Sequence, residues 1–167
     1  MTNRAIFNRQ YTDYTPGGQQ VWLVNGAGVT TTLVTTQTYT AGETLIQGQA
    51  VYVSGTYALS AVANSGVDAT RYNPIGITAA GAATSASVSV IVDDVAVIGP
   101  ANVADGSPLV PGRYYYLSKY TGQITAYSTA SGTVTASGGY AALVSMGQAL
   151  SPTELQLEIE PPVVLYD

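Results

Sequence analysis

The chain of 167 residues contains no cysteine and no histidine. Without cysteine there is no disulfide and no thiolate metal site. The fold must therefore hold by packing alone, and a globular chain of this size buries roughly 70% of its unfolded surface without staples. The missing cysteines suit a cytosolic and an extracellular product equally. The missing histidines remove the commonest general base, the Ser-His-Asp and Cys-His constellations, and the usual zinc ligands. Charge is also scarce: Asp, Glu, Lys and Arg make up 9% of the residues, against roughly 25% in a typical soluble domain. The basic residues are only Arg4, Arg9, Arg71, Arg113 and Lys119, and the net charge is −5. Nucleic acid is not an expected partner, because its binding requires clustered cations against phosphate. No run approaches the roughly 20 apolar residues that span a bilayer, so no membrane partner is expected. Met1–Gln20 carries Arg4 and Arg9 and no apolar run, unlike a secretory signal. The expectation is a product made in the cytosol that stays soluble or leaves by lysis or a signal-free route.

What the chain does have is strand signal almost throughout. Thr, Val, Tyr and Ile favour a pleated, half-buried surface. Alternation with period two runs through Ser85-Ala86-Ser87-Val88-Ser89-Val90-Ile91-Val92 and again through Glu154-Leu155-Gln156-Leu157-Glu158-Ile159-Glu160. Gly and Pro punctuate at short intervals, as in Pro16-Gly17-Gly18, Ser54-Gly55, Asp105-Gly106, Pro111-Gly112 and Gly138-Gly139. One helical turn is predicted, over Tyr140–Met146. The fold class is all-β, an antiparallel β-barrel or β-sandwich.

An internal echo bears on the architecture. Gly48-Gln49-Ala50-Val51-Tyr52-Val53 is matched by Gly112-Arg113-Tyr114-Tyr115-Tyr116-Leu117, and Pro74-Ile75-Gly76-Ile77-Thr78 by Ser145-Met146-Gly147-Gln148-Ala149. Each half then closes on an alternating strand, Val88 to Val92 and Leu155 to Ile159. The echo reads either as two similar lobes, 42–99 and 105–160, made by duplication, or as the habit of a biased composition. The body is expected over 21–160. The ends differ from it: 1–20 reads as an extended N-terminal arm, and in 161–167 two prolines stop the strand before an apolar segment with no obvious place in a sheet. Apolar arms need cover, from a neighbouring subunit or from their own domain.

Little in the sequence asks for chemistry. Glycoside hydrolysis needs only two carboxylates, and the candidates are Glu43, Asp68, Asp93, Asp94, Asp105, Glu154, Glu158 and Glu160. The last three lie on the polar side of an alternating strand, where solvation explains them. Asp93 and Asp94 are neighbours on extended chain and project to opposite faces. Asp105-Gly106 reads as a turn, no EF-hand loop is present, and no glycine motif precedes a helix to cradle phosphate. No catalytic residue, metal site or cofactor is expected. The 13 tyrosines combine apolar area with a hydrogen-bonding tip and suit sheet packing or a subunit interface. Tyr and Trp22 could also stack on sugar rings.

From Ala41-Gly42-Glu43 through Ile159 the chain resembles the small capsid decoration, or cement, proteins of tailed bacteriophages. The likeness is carried by Ile46 to Val53, Pro74-Ile75-Gly76-Ile77-Thr78, Val88 to Val92, Gly112 to Leu117 with Thr121-Gly122-Gln123-Ile124-Thr125, and Met146-Gly147-Gln148-Ala149-Leu150. The resemblance implies a β-rich protein synthesised in the host cytoplasm that sits on the capsid exterior of the virion. Its partner would be the major capsid protein, whose subunits it bridges as a homo-oligomer, often a trimer. The N-terminal arm and the Tyr-rich second half depart from that pattern. The interface residues expected are Ile6, Phe7, Tyr11 and Tyr14 in the N-terminal arm, and Val163, Val164, Leu165 and Tyr166 at the other end. The alternative is a receptor- or glycan-binding domain of a phage tail fibre or spike.

Overall fold

The computed structural model describes residues 35–64, 69–126 and 141–165. Its architecture is all-β. Five strands, β1 (Thr35–Ala41), β2 (Ala50–Ser54), β3 (Tyr57–Ser60), β4 (Gly76–Thr78) and β5 (Ser87–Asp93), close a barrel in the order β1-β3-β2-β4-β5. Every pairing is antiparallel except the β1–β3 seam, which is parallel at Thr40↔Tyr57 and Ala41↔Ala58. Asp94 turns the chain sharply, with φ 124°, and its carboxylate accepts the Val95 N–H at 2.8 Å. A second sheet follows at once: β6 (Val95–Val97), β7 (Tyr114–Leu117), β8 (Ile124–Ala126), β10 (Ser145–Ser151) and β11 (Glu154–Leu157), in the order β6-β11-β10-β7-β8. Two short strands, β9 (Ala142–Leu143) and β12 (Val163–Val164), pair antiparallel beside it. Among the described residues, no helix is long and apolar enough to cross a membrane.

The two lobes share one topology down to register. Val51 faces Gly76 across β2–β4, and Tyr115 faces Gly147 across β7–β10. Ile91 pairs with Ile77 and with Thr36, while Gln156 pairs with Gln148 and with Val95. Ala58 meets Val53 and Ala41; Ile124 meets Leu117 and, through a parallel bridge, Val103. That bridge stands where the first lobe has its parallel seam, displaced by the 3-10 turn Pro100–Asn102. The first lobe thus begins with β1, ahead of Gly42, and gives way to the second at Asp94.

One backbone constraint is common to both. A Cβ on Gly76 would lie 2.0 Å from the Ile91 carbonyl oxygen, and one on Gly147 would lie 1.9 Å from that of Gln156. These are equivalent positions, and each hydrophobic-glycine step marks where a strand crosses too close to its neighbour for any side chain.

Packing divides unevenly. Ala41, Leu45, Val51, Ala58, Val88 and Val90 fill the first barrel. A larger cluster joins the second lobe's Ile98, Leu117, Ile124, Met146 and Leu155 to Ala50, Tyr52, Ile77 and Ile91, which lie on the outward face of the first. Strand β2 is therefore buried on both sides at Ala50, Val51 and Tyr52, the pattern of a covered strand rather than an edge. Inside the first lobe, the Thr78 hydroxyl donates to the Ile46 carbonyl at 2.6 Å and accepts the Gln49 N–H at 2.9 Å.

Two expectations are corrected here. The stretch that reads as a helical turn, Tyr140–Met146, is strand over its described part: Ala142–Leu143 and the start of Ser145–Ser151. Val144 and Met146 are fully buried, and the Val144 carbonyl accepts the Leu117 N–H at 2.9 Å, so sheet partners on both sides outweigh local propensity. The C-terminal apolar segment has a place in a sheet after all, since Val163 pairs with Leu143 and Val164 with Ala142. Gly76→Ala and Gly147→Ala should each destabilise the protein by about 3 kcal/mol or more, since a backbone carbonyl cannot move aside as a side chain can. Gly99→Ala, with open space around it and φ −81°, should stay within about 0.5 kcal/mol of the parent. Chemical denaturation of the three variants checks the contrast.

Candidate functional site

Of the eight interface residues expected from sequence, Val163, Val164 and Leu165 fall among the described residues. Ile6, Phe7, Tyr11, Tyr14 and Tyr166 lie outside them, as does Trp22. Val163 and Val164 are 61% and 42% exposed although their backbones are paired with β9, so their side chains stand on a two-stranded ribbon facing solvent. Leu165 instead packs against the larger core cluster, and its N–H donates to the Ala141 carbonyl at 2.9 Å. The segment folds back on its own body while presenting two valines outward.

Glu43, Asp94 and Asp105 are engaged in local backbone roles. Glu43 accepts the Ser60 N–H at 2.7 Å, tying the loop after β1 to the end of β3. Asp105 accepts the Ser107 N–H at 3.0 Å and so shapes the turn at Gly106. Asp93, Glu154, Glu158 and Glu160 are exposed, and Asp68 lies outside the described residues. Among the described residues no three acidic groups gather where they could hold a metal ion.

The surface itself is the remaining candidate, and strand alternation explains how it arises. In Tyr114-Tyr115-Tyr116 the middle ring points into the lobe, 2% exposed, while Tyr114 points out, 46% exposed. The same alternation leaves Leu150 at the end of β10 and Val97 at the end of β6 facing water. On the first lobe Tyr57 is 50% exposed beside the parallel seam. Two shallow clefts meet there at Ser85: one of about 250 Å3, lined by Ala41, Gly42, Ser54, Tyr57 and Leu59, and one of about 590 Å3, lined by Thr38, Tyr39, Thr40, Gly55, Thr56 and Ser87. Their walls offer hydroxyls, main chain and aromatic rings, with no charged side chain. Such a lining holds neutral hydrogen-bonding groups and flat apolar faces, not anions or cations.

Sequence reasoning missed Tyr57 and Leu150 because exposure here depends on which face each strand turns outward. The only available signal was alternation, and in Tyr57-Ala58-Leu59-Ser60 both parities contain apolar residues. Tyr115 illustrates the converse, an aromatic whose part is structural. Its buried hydroxyl accepts the Val110 N–H at 2.9 Å and pins the loop that carries the exposed Val110 and Pro111.

Tyr115→Phe should cost about 1 kcal/mol of stability and speed hydrogen exchange at the Val110 amide, with the rest of β7 unchanged. Exchange measured by NMR separates that local loosening from general unfolding. Compared with protein-family models and with curated proteins, the chain matches none.

Proposed function

We propose that this chain is a virion structural protein, a capsid decoration or cement protein that binds the outer surface of a tailed-phage capsid and stabilises it by non-covalent contacts between capsid subunits. The observation that carries the reading is an exposed set of large apolar and aromatic side chains on a body with few charged residues. Ile46, Tyr57, Val97, Tyr114 and Leu150 are each about half exposed, and only 9% of the residues are charged. Isolated exposed apolar residues are ordinary. Combined with so few solvating charges, they suit a protein that works packed against neighbours.

The mechanical logic agrees. A sheet-rich body whose two lobes share hydrogen bonds and a core resists deformation, as a clamp between subunits must. A capsid offers its docking site many times, so contacts that are weak singly become strong when an oligomer engages several together. The partners in this reading are the major capsid protein and further copies of the chain.

Expanded capsids assembled from the cognate major capsid protein, without decoration, provide the test. Added protein should bind to saturation at a fixed copy number and raise the temperature and shear at which the capsids rupture. Absence of binding, or binding with no gain in resistance, would overturn the reading.

A further inference from the structure

The lobes share one topology, yet they meet through unlike faces. The first lobe offers the outward side of β2, β4 and β5, with Ala50, Ile77 and Ile91 sealed into the common core. The second offers the hairpin end of β7–β8. There the Gly122 carbonyl accepts the Ala50 N–H at 3.0 Å and the Gly122 N–H donates to the Ala61 carbonyl at 2.8 Å, while from the adjoining 3-10 turn Asn102 Nδ2 donates to the Gln47 carbonyl at 2.7 Å. Among the described residues, a contact between unlike faces of two similar units leaves one copy of each face without a partner lobe. The spare hairpin end belongs to the first lobe: the Gly55-Thr56 turn, the exposed Tyr57 and the two clefts along the β1–β3 seam. The spare outward face belongs to the second. Register places Tyr114 where the first lobe has Ala50, Gln148 where it has Ile77, and Gln156 where it has Ile91.

We propose that a second copy of this chain docks on that spare face, the β2–β3 hairpin end of one copy seated against β7, β10 and β11 of the next. The protein's own lobe contact is the precedent, since it shows the two faces of this architecture fitting one another. The substitutions between equivalent positions fit the difference between a permanent and a separable contact. Ala50, Ile77 and Ile91 are apolar and never meet water in the folded chain. Tyr114 and Leu150 are exposed and Gln148 and Gln156 half-buried, a mix of aromatic, aliphatic and amide surface of the kind found in separable interfaces. The clefts of the hairpin end are lined by no charged side chain, whereas the outward face carries the exposed Glu154 and Glu158 on either side of Gln156, with Arg113 exposed just ahead of β7. The turn between β2 and β3 is shorter than that between β7 and β8, so the Tyr57 ring takes the place that Gly122 main chain occupies within the chain. The contact is heterologous, and repetition builds a ring if the rotation closes and a row if it does not. The inference deepens the homo-oligomer part of the preceding reading and is independent of any capsid.

Complementation tests it on the full chain. Tyr57→Glu blocks the hairpin end and leaves the outward face intact; Leu150→Glu does the reverse. Sedimentation velocity and light scattering should find the parent protein oligomeric and self-association weakened about 30-fold or more in each variant. An equimolar mixture of the two variants should form a heterodimer of twice the protomer mass and nothing larger, because one complementary pair of faces survives. A monomeric parent, variants that keep the parent mass, or a mixture that stays monomeric would each overturn the proposal. Thermal unfolding of each variant accompanies the masses, and if either melts well below the parent, Thr56→Arg and Gln148→Arg repeat the two arms. Solution mass is read without capsids, so failure here leaves the decoration reading standing, and the converse holds.

Discussion

Gly122 lies where β2 and β3 part, and the second lobe completes there a ladder that the first lobe cannot finish alone. Its carbonyl takes the Ala50 N–H and its own N–H serves the Ala61 carbonyl, so one residue joins two strand ends across the gap. Leaving these groups unpaired in a buried place would cost about 1–3 kcal/mol each. The same junction covers Ala50, Tyr52, Ile77 and Ile91, and fully burying a side chain the size of isoleucine stabilises by roughly 1.5–3 kcal/mol. The barrel is closed by its own strands, but its outward face at Ala50, Tyr52, Ile77 and Ile91 is buried against the second sheet. The two lobes share one core.

That dependence separates the two lobes in sequence where their backbones agree. Gly76 and Gly147 are the same residue because each strand passes a neighbouring carbonyl at a distance that excludes a Cβ. No surface demand can change them. Ile77 and Gln148 differ because the first is sealed under the other lobe and the second is not; an amide at the first position would need a buried partner it does not have. The second lobe also diverges where its strands meet. The 3-10 turn Pro100–Asn102 displaces the parallel contact to Val103, and its Asn102 reaches across to the first lobe. One feature thus leaves the second sheet without a parallel seam like the first and fastens the two lobes together.

The parts of this fold legible in the sequence were those set by local periodicity. The strands at Val88–Val92 and Leu155–Leu157 follow from alternation, and the glycine steps at Gly76 and Gly147 fall where strands approach a neighbouring carbonyl most closely. The lobe boundary was less legible because it is one residue, Asp94, in an unusual conformation, with apolar strand on both sides and no linker composition to mark it. The turn over 140–146 was misread because Ala141, Ala142 and Leu143 favour a helix until two sheet partners compete for them. Strand β2 shows why the surface was harder still. Ala50-Val51-Tyr52 has no polar face, so nothing local says that one side meets the barrel interior and the other a second lobe. The exposed set at Tyr57, Tyr114 and Leu150 depends on that same three-dimensional assignment.

On the proposed reading, a surface built this way would recognise a partner by shape and hydrogen bonding. The neutral clefts offer no charged side chain to steer an encounter, and association without steering typically runs at about 10^5–10^6 M⁻¹s⁻¹. In exchange, contacts made by hydroxyls, amides and rings are hardly screened by salt, unlike exposed ion pairs. Specificity must then come from geometry held in place, and the backbone supplies it: the Thr78 hydroxyl ties two loop segments, Glu43 ties the loop after β1 to β3, and Tyr115 ties the Val110 loop. Geometrically fixed contact of this kind would suit the proposed attachment, because the shared core holds the neutral clefts and the exposed aromatic edges in place.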